Sequence, residues 1–228
     1  MDGESEVSMK MYITNDKHTS EKWEELVDQL KRSRYFIDKN LKVFDFIRDM
    51  NESSINPGEI FYRARMGTYI RPEDLGAPPS DRVTGGRLNP RAISYLYVAS
   101  ELETAISEIR PWIGASVSLA KCVPQVQMRI KDFTLNGGSP GAVNDFKRVI
   151  NNLFATKVDP SNNELEYLAT QAVAEYIREQ GYDGVKYFSS THETGINLTV
   201  FDPGKMTIEY EGQTIISSIS YFYSKITK

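Results

Sequence analysis

Residues 85–111 constrain the fold more tightly than any other part of this 228-residue chain. The pair Gly85-Gly86 permits a tight turn or a positive φ angle. Side chains over residues 92–99 then alternate with a period of two, which predicts a strand with Tyr95 and Tyr97 on the same face. The sequence thus leads from a glycine turn directly into a strand.

A short helix is predicted immediately after that strand. Ser100 and Glu103 have the three-residue spacing of a capping box, which indicates a helix over residues 101–109. Pro111 cannot continue such a helix. Glu108 therefore falls near its C-terminal end, where the helix dipole disfavours an acidic side chain. This local conflict hints at a function for Glu108, although an exposed helix position is the simpler interpretation.

The rest of the chain contains short strands, mostly joined by turns, and helices that occur in clusters. Strands are predicted over residues 60–65, 116–123, 126–130, 185–188 and 196–201, with a closing hairpin formed by residues 205–210 and 214–223. Helices are predicted after a cap at residues 19–20 and over residues 37–50, 143–155 and 164–180, while residues 51–58 are polar, with a turn predicted at Pro57-Gly58. This order favours an α+β fold with a mixed or antiparallel sheet over a doubly wound fold.

Three regions are predicted along the chain: a flexible tail at residues 1–17, a helical extension at residues 18–57 and a main domain at residues 58–228. The extension carries apolar side chains at helical spacing, among them Trp23 and Leu26. Such a stripe usually faces a core, so we favour packing of these helices on the main sheet. A dimerisation or partner-docking surface is the alternative.

Composition excludes several classes of protein. A net charge of −4 argues against a general nucleic-acid binder, which needs a basic surface. Cys122 is the only cysteine, which excludes an internal disulfide and a cysteine-rich zinc site. No apolar stretch approaches the length of a membrane span, and the acidic N-terminus does not look like a signal peptide. We therefore expect a cytoplasmic protein with no metal and no direct contact with nucleic acid or a membrane.

Arg63 and Ser189 are candidates for chemistry, each with a structural alternative. Arg63 alternates onto one strand face, and a surface arginine paired with an acid is the commoner case. Ser189 ends a predicted strand, where a turn cap is usual and a hydrolase nucleophile is a second interpretation. However, no Gly-x-Ser-x-Gly elbow surrounds it, and His18 and His192 are the only histidines. A Ser-His-Asp triad is therefore not expected.

Other candidates are polar or aromatic residues near turns and strand ends. Tyr69 lies in a long loop over residues 66–91, and loops of this length are usually functional or mobile. Tyr97 either stacks on a ligand ring or fills the core. Asn197 is either a site residue or a strand-end cap. Tyr69, Tyr97 and Asn197 are therefore candidate ligand contacts.

Five segments carry a family resemblance. They are FYRAR at residues 61–65, GGRLNP at 85–90, YLYVA at 95–99 continuing through Thr104-Ala105 to Glu108, GYDGVKYFSS at 181–190 and GINLTVF at 195–201. In order and spacing they resemble the RES domain family, which is named for an arginine, a glutamate and a serine. The resemblance covers residues 59–203.

The resemblance implies an ADP-ribosyltransferase-like fold and an enzyme that cleaves the bond between nicotinamide and ribose in NAD⁺. It matches the three family residues to Arg63, Glu108 and Ser189, with Ser190 adjacent to the last. It also makes Arg63, Arg87, Asn89, Ser190 and Asn197 candidate contacts for NAD⁺. NAD⁺ would be a substrate and not a recycled cofactor. The acceptor in such proteins is water, phosphate or a protein side chain.

The resemblance also implies a biological setting. Many family members are toxins that drain NAD⁺ and are held inactive by a cognate antitoxin with an Xre-like helix-turn-helix domain. The leading hypothesis is therefore a toxin that acts as an NAD⁺ glycohydrolase or phosphorylase. The alternatives are a protein ADP-ribosyltransferase and, less favoured, a non-catalytic binding module. Besides NAD⁺ and an antitoxin, a homodimer is a candidate assembly.

Overall fold

The computed structural model describes residues 17–33, 37–134, 142–155 and 163–220. Apart from Lys17, the predicted N-terminal tail lies outside these residues. The helices are α1 (Lys17–Arg32), α2 (Lys42–Asp49), α3 (Pro72–Leu75), α4 (Leu102–Glu108), α5 (Ala142–Ala155) and α6 (Asn163–Glu179). The strands are β1 (Glu52–Ile55), β2 (Phe61–Met66), β3 (Leu96–Ala99), β4 (Ser116–Pro124), β5 (Met128–Asp132), β6 (Gly184–Phe188), β7 (Ile196–Val200) and β8 (Met206–Ile215).

All eight strands form one sheet in the order β1-β5-β6-β7-β3-β2-β4-β8. Every neighbouring pair is antiparallel except β5 and β6, which run parallel. The parallel pair needs a long crossover connection, and α5 and α6 lie in that connection. The predicted α+β class with a mixed sheet and flanking helices is therefore confirmed.

Strand β2 is paired unequally with its two neighbours. It pairs with β4 along its whole length, from Phe61 to Met66. Its register with β3 consists of the single pair Tyr62–Ala99. The two strands therefore part beyond this pair, and the sheet opens at its centre.

Side chains alternate between the two faces of the sheet, as the pleat requires. Tyr95, just before β3, and Tyr97 on β3 face the helices, whereas Leu96 and Val98 belong to a second apolar cluster on the opposite face. A third, smaller cluster lies between α4 and strands β2, β3 and β4. Helix α4 is thereby fixed over the place where β2 and β3 part.

Helices α1 and α2 are part of the main apolar core. Trp23 and Phe44 are each 1% exposed and belong to the same cluster as Phe154 and Tyr187. The ring of Phe44 packs on Tyr176 of α6, with centroids 4.3 Å apart. Burying a side chain of this size stabilises the fold by about 2–3 kcal/mol. The N-terminal helices therefore support α6, which is the helix next to the candidate site.

Several sequence predictions are corrected. The polar segment over residues 51–58 was not predicted to contain a strand, but it contains β1, which pairs with β5 at the edge of the sheet. The turn predicted at Pro57-Gly58 is confirmed, and Gly58 has a φ of 87°. The second helix is shorter than predicted and begins at Lys42. The predicted strand over residues 92–99 begins only at Leu96, and residues 91–92 form a turn in which Ala92 has a φ of 67°. No side-chain cap was found at the start of α4, where Glu101 and not Ser100 is the N-cap residue.

The predicted closing hairpin is also wrong as far as the described residues reach. Residues expected to turn at 211–213 continue a single ten-residue strand, β8. Gly212 has a φ of 156°, which is near the extended range, and the irregularity is absorbed as a bulge opposite Leu119 and Ala120. Among the described residues, no helix is long and apolar enough to cross a membrane.

Candidate functional site

A pocket of about 320 Å³ opens where β2 and β3 part. This volume is near the lower end of the roughly 300–1,000 Å³ that is usual for ligand pockets. Strands β2, β3, β6 and β7, helices α4 and α6, and the Gly85–Gly86 turn all contribute to its wall. The polar and aromatic residues that line it are Tyr62, Arg63, Arg87, Tyr97, Glu108, Tyr167, Tyr187 and Asn197.

Arg63 spans the gap between the strands. Its Nη1 donates to the carbonyl oxygen of Tyr97 on β3 at 2.8 Å. Burial lowers the pKa of Arg63 below its ordinary value, yet a guanidinium stays charged at neutral pH. Its Nε is buried and has no hydrogen-bond partner in the described chain. A buried donor without a partner is costly, so Arg63 is prepared to bind an anionic ligand.

Glu108 is the last residue of α4 and is held by two donors from different elements. Ser189 Oγ and Asn197 Nδ2 each donate to its Oε1 at 2.7 Å. Within the described chain, Oε2 accepts no hydrogen bond. One oxygen therefore fixes the orientation of the carboxylate, and the other remains for chemistry in the pocket. The chain reverses beyond the helix at Arg110, which has a φ of 47°.

Ser189 is arranged to orient Glu108 and not to attack a substrate. Besides donating to Glu108, its Oγ accepts the backbone N–H groups of Thr191 at 3.1 Å and His192 at 3.2 Å. A hydroxyl has one proton and two lone pairs, so these three contacts use all of them. The ring of His192 faces elsewhere, with Nδ1 2.7 Å from Thr104 Oγ1. His192 is therefore not placed to deprotonate Ser189.

The turn at residues 85–89 brings Arg87 to the pocket. Gly85 has a φ of 87°, and a Cβ on Gly86 would lie 2.7 Å from Asn89 Oδ1, so both positions require glycine. Arg87 donates to the carbonyl oxygen of Phe154 near the end of α5. Its buried Nε, like that of Arg63, has no hydrogen-bond partner in the described chain. The pocket wall thus contains a second guanidinium.

Asn89 and Tyr97 bind each other and shape this turn. Tyr97 Oη donates to Asn89 Oδ1 at 2.6 Å and accepts the N–H of Leu88 at 3.2 Å. Burial raises the pKa of Tyr97. Asn89 is 5% exposed and does not line the pocket. Asn89 therefore positions the turn, whereas the Tyr97 ring faces the pocket and its hydroxyl is occupied.

Two predicted contacts lie outside the pocket lining. Tyr69 stacks under the guanidinium of Arg65, 4.2 Å from its ring centre, and its N–H donates to Ser118 Oγ at 2.8 Å. Ser190 is exposed and likewise is not among the lining residues. The structure therefore brings five of the predicted residues around one pocket: Arg63, Arg87, Tyr97, Glu108 and Asn197. Ser189 lies behind Glu108, whereas Tyr69, Asn89 and Ser190 lie outside the pocket lining.

Two supporting groups on α6 were not among the predicted ligand contacts. Tyr167 lines the pocket from α6, and one turn later Gln171 Nε2 donates to the carbonyl oxygens of Gly86 at 2.7 Å and Asn89 at 3.2 Å. Their one-turn spacing on a predicted helix was the available signal. The contact of Thr104 with His192 links segments 88 residues apart, and no local sequence pattern predicts it.

The charges in the pocket are two guanidiniums and one carboxylate. Such a site suits a ligand with an anionic part near the arginines and a part that develops positive charge near Glu108. Tyr62, Tyr167 and Tyr187 add aromatic surface against which a flat ring can pack. The described residues contain no group of three or more His, Cys, Asp or Glu side chains that could hold a metal ion.

Three comparisons with known proteins bear on this chain. A search of curated proteins finds no match. A chain in the crystal structure of the M. tuberculosis MbcT-MbcA toxin-antitoxin complex is similar, with 16% identity and a TM-score of 0.48, covering 79% of this chain and 94% of that chain. The family model described as RES domain matches residues 60–219. The match spans more than half of the sequence, and the chain therefore belongs to the RES domain family.

Proposed function

We propose that this protein cleaves the bond between nicotinamide and ribose in NAD⁺. The observation that carries the proposal is Glu108, whose Oε1 is fixed by Ser189 and Asn197 while Oε2 is left without a hydrogen bond in the described chain. A carboxylate held in this way is suited to stabilise a cation that forms in a partly closed pocket.

The chemical step breaks the C1′–N bond of the nicotinamide riboside half. The electron pair of that bond leaves with nicotinamide, whose ring becomes neutral, and positive charge develops at C1′ of the ribose. The Glu108 carboxylate stabilises this oxocarbenium-like state more than the ground state, which is the condition for catalysis. An acceptor then supplies a lone pair to C1′, and when the acceptor is water it loses a proton.

The two arginines supply the binding part of the proposal. The planar forks of Arg63 and Arg87 match the oxygens of a pyrophosphate, and both side chains line the pocket. Binding of the dinucleotide there leaves Glu108 for the ribose end. NAD⁺ is thereby a substrate, and the proposed mechanism uses no metal or cofactor.

Water and phosphate are the two candidate acceptors for this step. With water the enzyme is an NAD⁺ glycohydrolase, and with phosphate it is a phosphorylase. Either activity drains NAD⁺, so we infer a toxin that arrests growth and is controlled by a cognate antitoxin with an Xre-like helix-turn-helix domain. Membership of the RES domain family supports this inference.

A second candidate is a protein ADP-ribosyltransferase that uses the same pocket. The observation in its favour is the exposed apolar surface beside the pocket. Trp112 and Ile113 are each 63% exposed and follow closely after Ile109, which lines the pocket. Exposed apolar side chains of this kind occur at protein-binding sites, and a target protein docked there would bring its side chain to the acceptor position.

The test is incubation of the purified protein with NAD⁺, with and without phosphate, followed by mass spectrometry of the products. Free nicotinamide is expected from the wild type and not from the Glu108→Ala variant. ADP-ribose as the second product identifies water as the acceptor, and its phosphorylated form identifies phosphate. Intact NAD⁺ in every sample, with labelled ADP-ribose transferred to a protein from lysate, would replace the leading proposal with the second candidate.

A further inference from the structure

The helix that ends in Glu108 touches the Ser189 loop at two levels. Thr104 and Glu108 are four residues apart, so they lie on the same face of α4, one turn from each other. Ser189 Oγ contacts Glu108 at 2.7 Å. One turn earlier, His192 Nδ1 contacts Thr104 Oγ1 at 2.7 Å. The loop over residues 189–195 is thus attached to α4 both at the catalytic end and behind it.

The loop backbone packs directly on Thr104. A Cβ on Gly195 would lie 2.4 Å from Thr104 Oγ1 and 2.6 Å from its Cγ2, so only glycine fits. Thr104 has no exposed surface. Gly195 in turn accepts the N–H of Ser189 at 2.8 Å and donates its own N–H to the carbonyl oxygen of His192 at 3.1 Å. Movement of the loop away from Thr104 would therefore move Ser189 as well.

A third contact also joins the loop to α4. Thr191 Oγ1 lies 2.9 Å from Ser107 Oγ and 3.0 Å from Ser189 Oγ. Ser107 Oγ already donates to the carbonyl oxygen of Thr104 at 2.9 Å. Thr191 has one proton and donates it to Ser107 Oγ, because both lone pairs of Ser189 Oγ already accept backbone N–H groups. This contact attaches the loop at the level of Ser107, between the two levels described above.

We propose that Thr104 and His192 are positioning residues that set the distance between the loop and α4 at which Ser189 holds Glu108. The catalytic consequence rests on the proposed function. The two residues do not line the pocket, so they act through Ser189 and Glu108 and not on the substrate. The carboxylate matters most in the transition state, and loosening it lowers kcat and leaves KM for NAD⁺ nearly unchanged.

The test compares Thr104→Val, which keeps the shape and removes the hydroxyl, with Thr104→Ser, which keeps the hydroxyl. Thr104→Val is expected to lower kcat about tenfold with KM changed less than about twofold, and Thr104→Ser is expected to restore kcat to within about threefold of the wild type. Equal kcat in the wild type and Thr104→Val would overturn the proposal.

A second readout does not depend on activity. Amide hydrogen exchange over residues 189–195 in the intact protein is expected to be about tenfold faster in Thr104→Val than in Thr104→Ser. The pair His192→Asn, which can keep a hydrogen bond from the Nδ1 position, and His192→Leu should show the same contrast. Unchanged exchange in Thr104→Val and His192→Leu would overturn the proposal. If the wild type fails to cleave NAD⁺, the proposed function fails, and the exchange experiment still decides the positioning role.

Discussion

The Glu108 side and the Arg87 side of the pocket are built in different ways. Glu108 is oriented by side-chain hydrogen bonds from Ser189 and Asn197, each 2.7 Å long. On the other side, Arg87 is carried by a turn whose carbonyl oxygens accept bonds from α6, including the one from Thr170 Oγ1 to the Arg87 carbonyl at 2.5 Å. Helix α6 is itself held by the apolar core, through contacts such as Phe44 with Tyr176.

The difference follows from what each side must fix. A carboxylate rotates about its own side-chain bonds, so directed hydrogen bonds are needed to orient it. A turn is placed by the position of its backbone, and apolar packing of a whole helix secures that position. Damage to the Glu108 side should therefore appear in kcat, whereas damage to the Arg87 side should appear in stability and substrate affinity.

The largest effect is expected for Glu108→Gln. The amide keeps the shape and an oxygen that can accept from Ser189 and Asn197, but it loses the negative charge. We expect kcat to fall about 1,000-fold, which corresponds to about 4 kcal/mol, with KM within about threefold of the wild type. Steady-state release of nicotinamide measures both constants. Glu103→Gln, an exposed acid on the same helix, is the matched control, and equal losses in the two variants would contradict the role of Glu108.

Phe44→Ala tests the apolar support on the Arg87 side. Phe44 is 1% exposed and stacks on Tyr176. Removing a buried ring of this kind is expected to lower the free energy of unfolding by about 3–4 kcal/mol. Urea denaturation followed by circular dichroism measures the change, and Asp45→Ala, at the next and exposed position, should cost less than about 1 kcal/mol. A small change in Phe44→Ala would mean that α1 and α2 are a dispensable annex.

Whether a sequence prediction was correct depends on whether the contacts that form the element are local or distant in sequence. The glycine turn, the helix after β3 and the α5–α6 pair are encoded by residues close in sequence, so they were predicted nearly in place. Strand β1 has only four residues, three of them polar, and it is a strand because β5 lies beside it. The closing strand was predicted as a hairpin because a glycine such as Gly212 is typical of turns. In the structure, pairing with β4 keeps strand β8 extended.

The candidate site, too, could be predicted from the sequence only in part. Arg63, Arg87, Tyr97, Glu108 and Asn197 were named from motifs and are brought together in the pocket. The role of Asn89 as an anchor for the turn was not foreseen. It depends on the Tyr97 hydroxyl, which binds Asn89 only after the turn folds back on β3. A motif can name the residues of a site, but which of them face the ligand depends on contacts between distant segments.

Arg63→Lys tests the arginine that lies between the Glu108 side and the Arg87 side of the pocket. Lysine keeps the charge and loses the planar fork and the Nε donor. We expect KM for NAD⁺ to rise about 30-fold, corresponding to about 2 kcal/mol, with kcat nearly unchanged, because the arginine binds ground state and transition state alike. Arg65→Lys, two residues along β2 and exposed, is the control. A fall in kcat at constant KM would place Arg63 with Glu108 and not with substrate binding.

The smallest effect is expected for Gln171→Met, which removes the donor that α6 offers to the turn and keeps the length of the side chain. The carbonyl oxygens of Gly86 and Asn89 would lose their bonds to Gln171 Nε2, at 2.7 and 3.2 Å. Loss of such a contact costs about 1 kcal/mol, so KM should rise about fivefold while kcat and the melting temperature change little. Gln180→Met, beyond the end of α6 and exposed, should have no effect. If Gln171→Met lowered kcat instead, the turn would be coupled to Glu108, and the two sides would have to be described as one network.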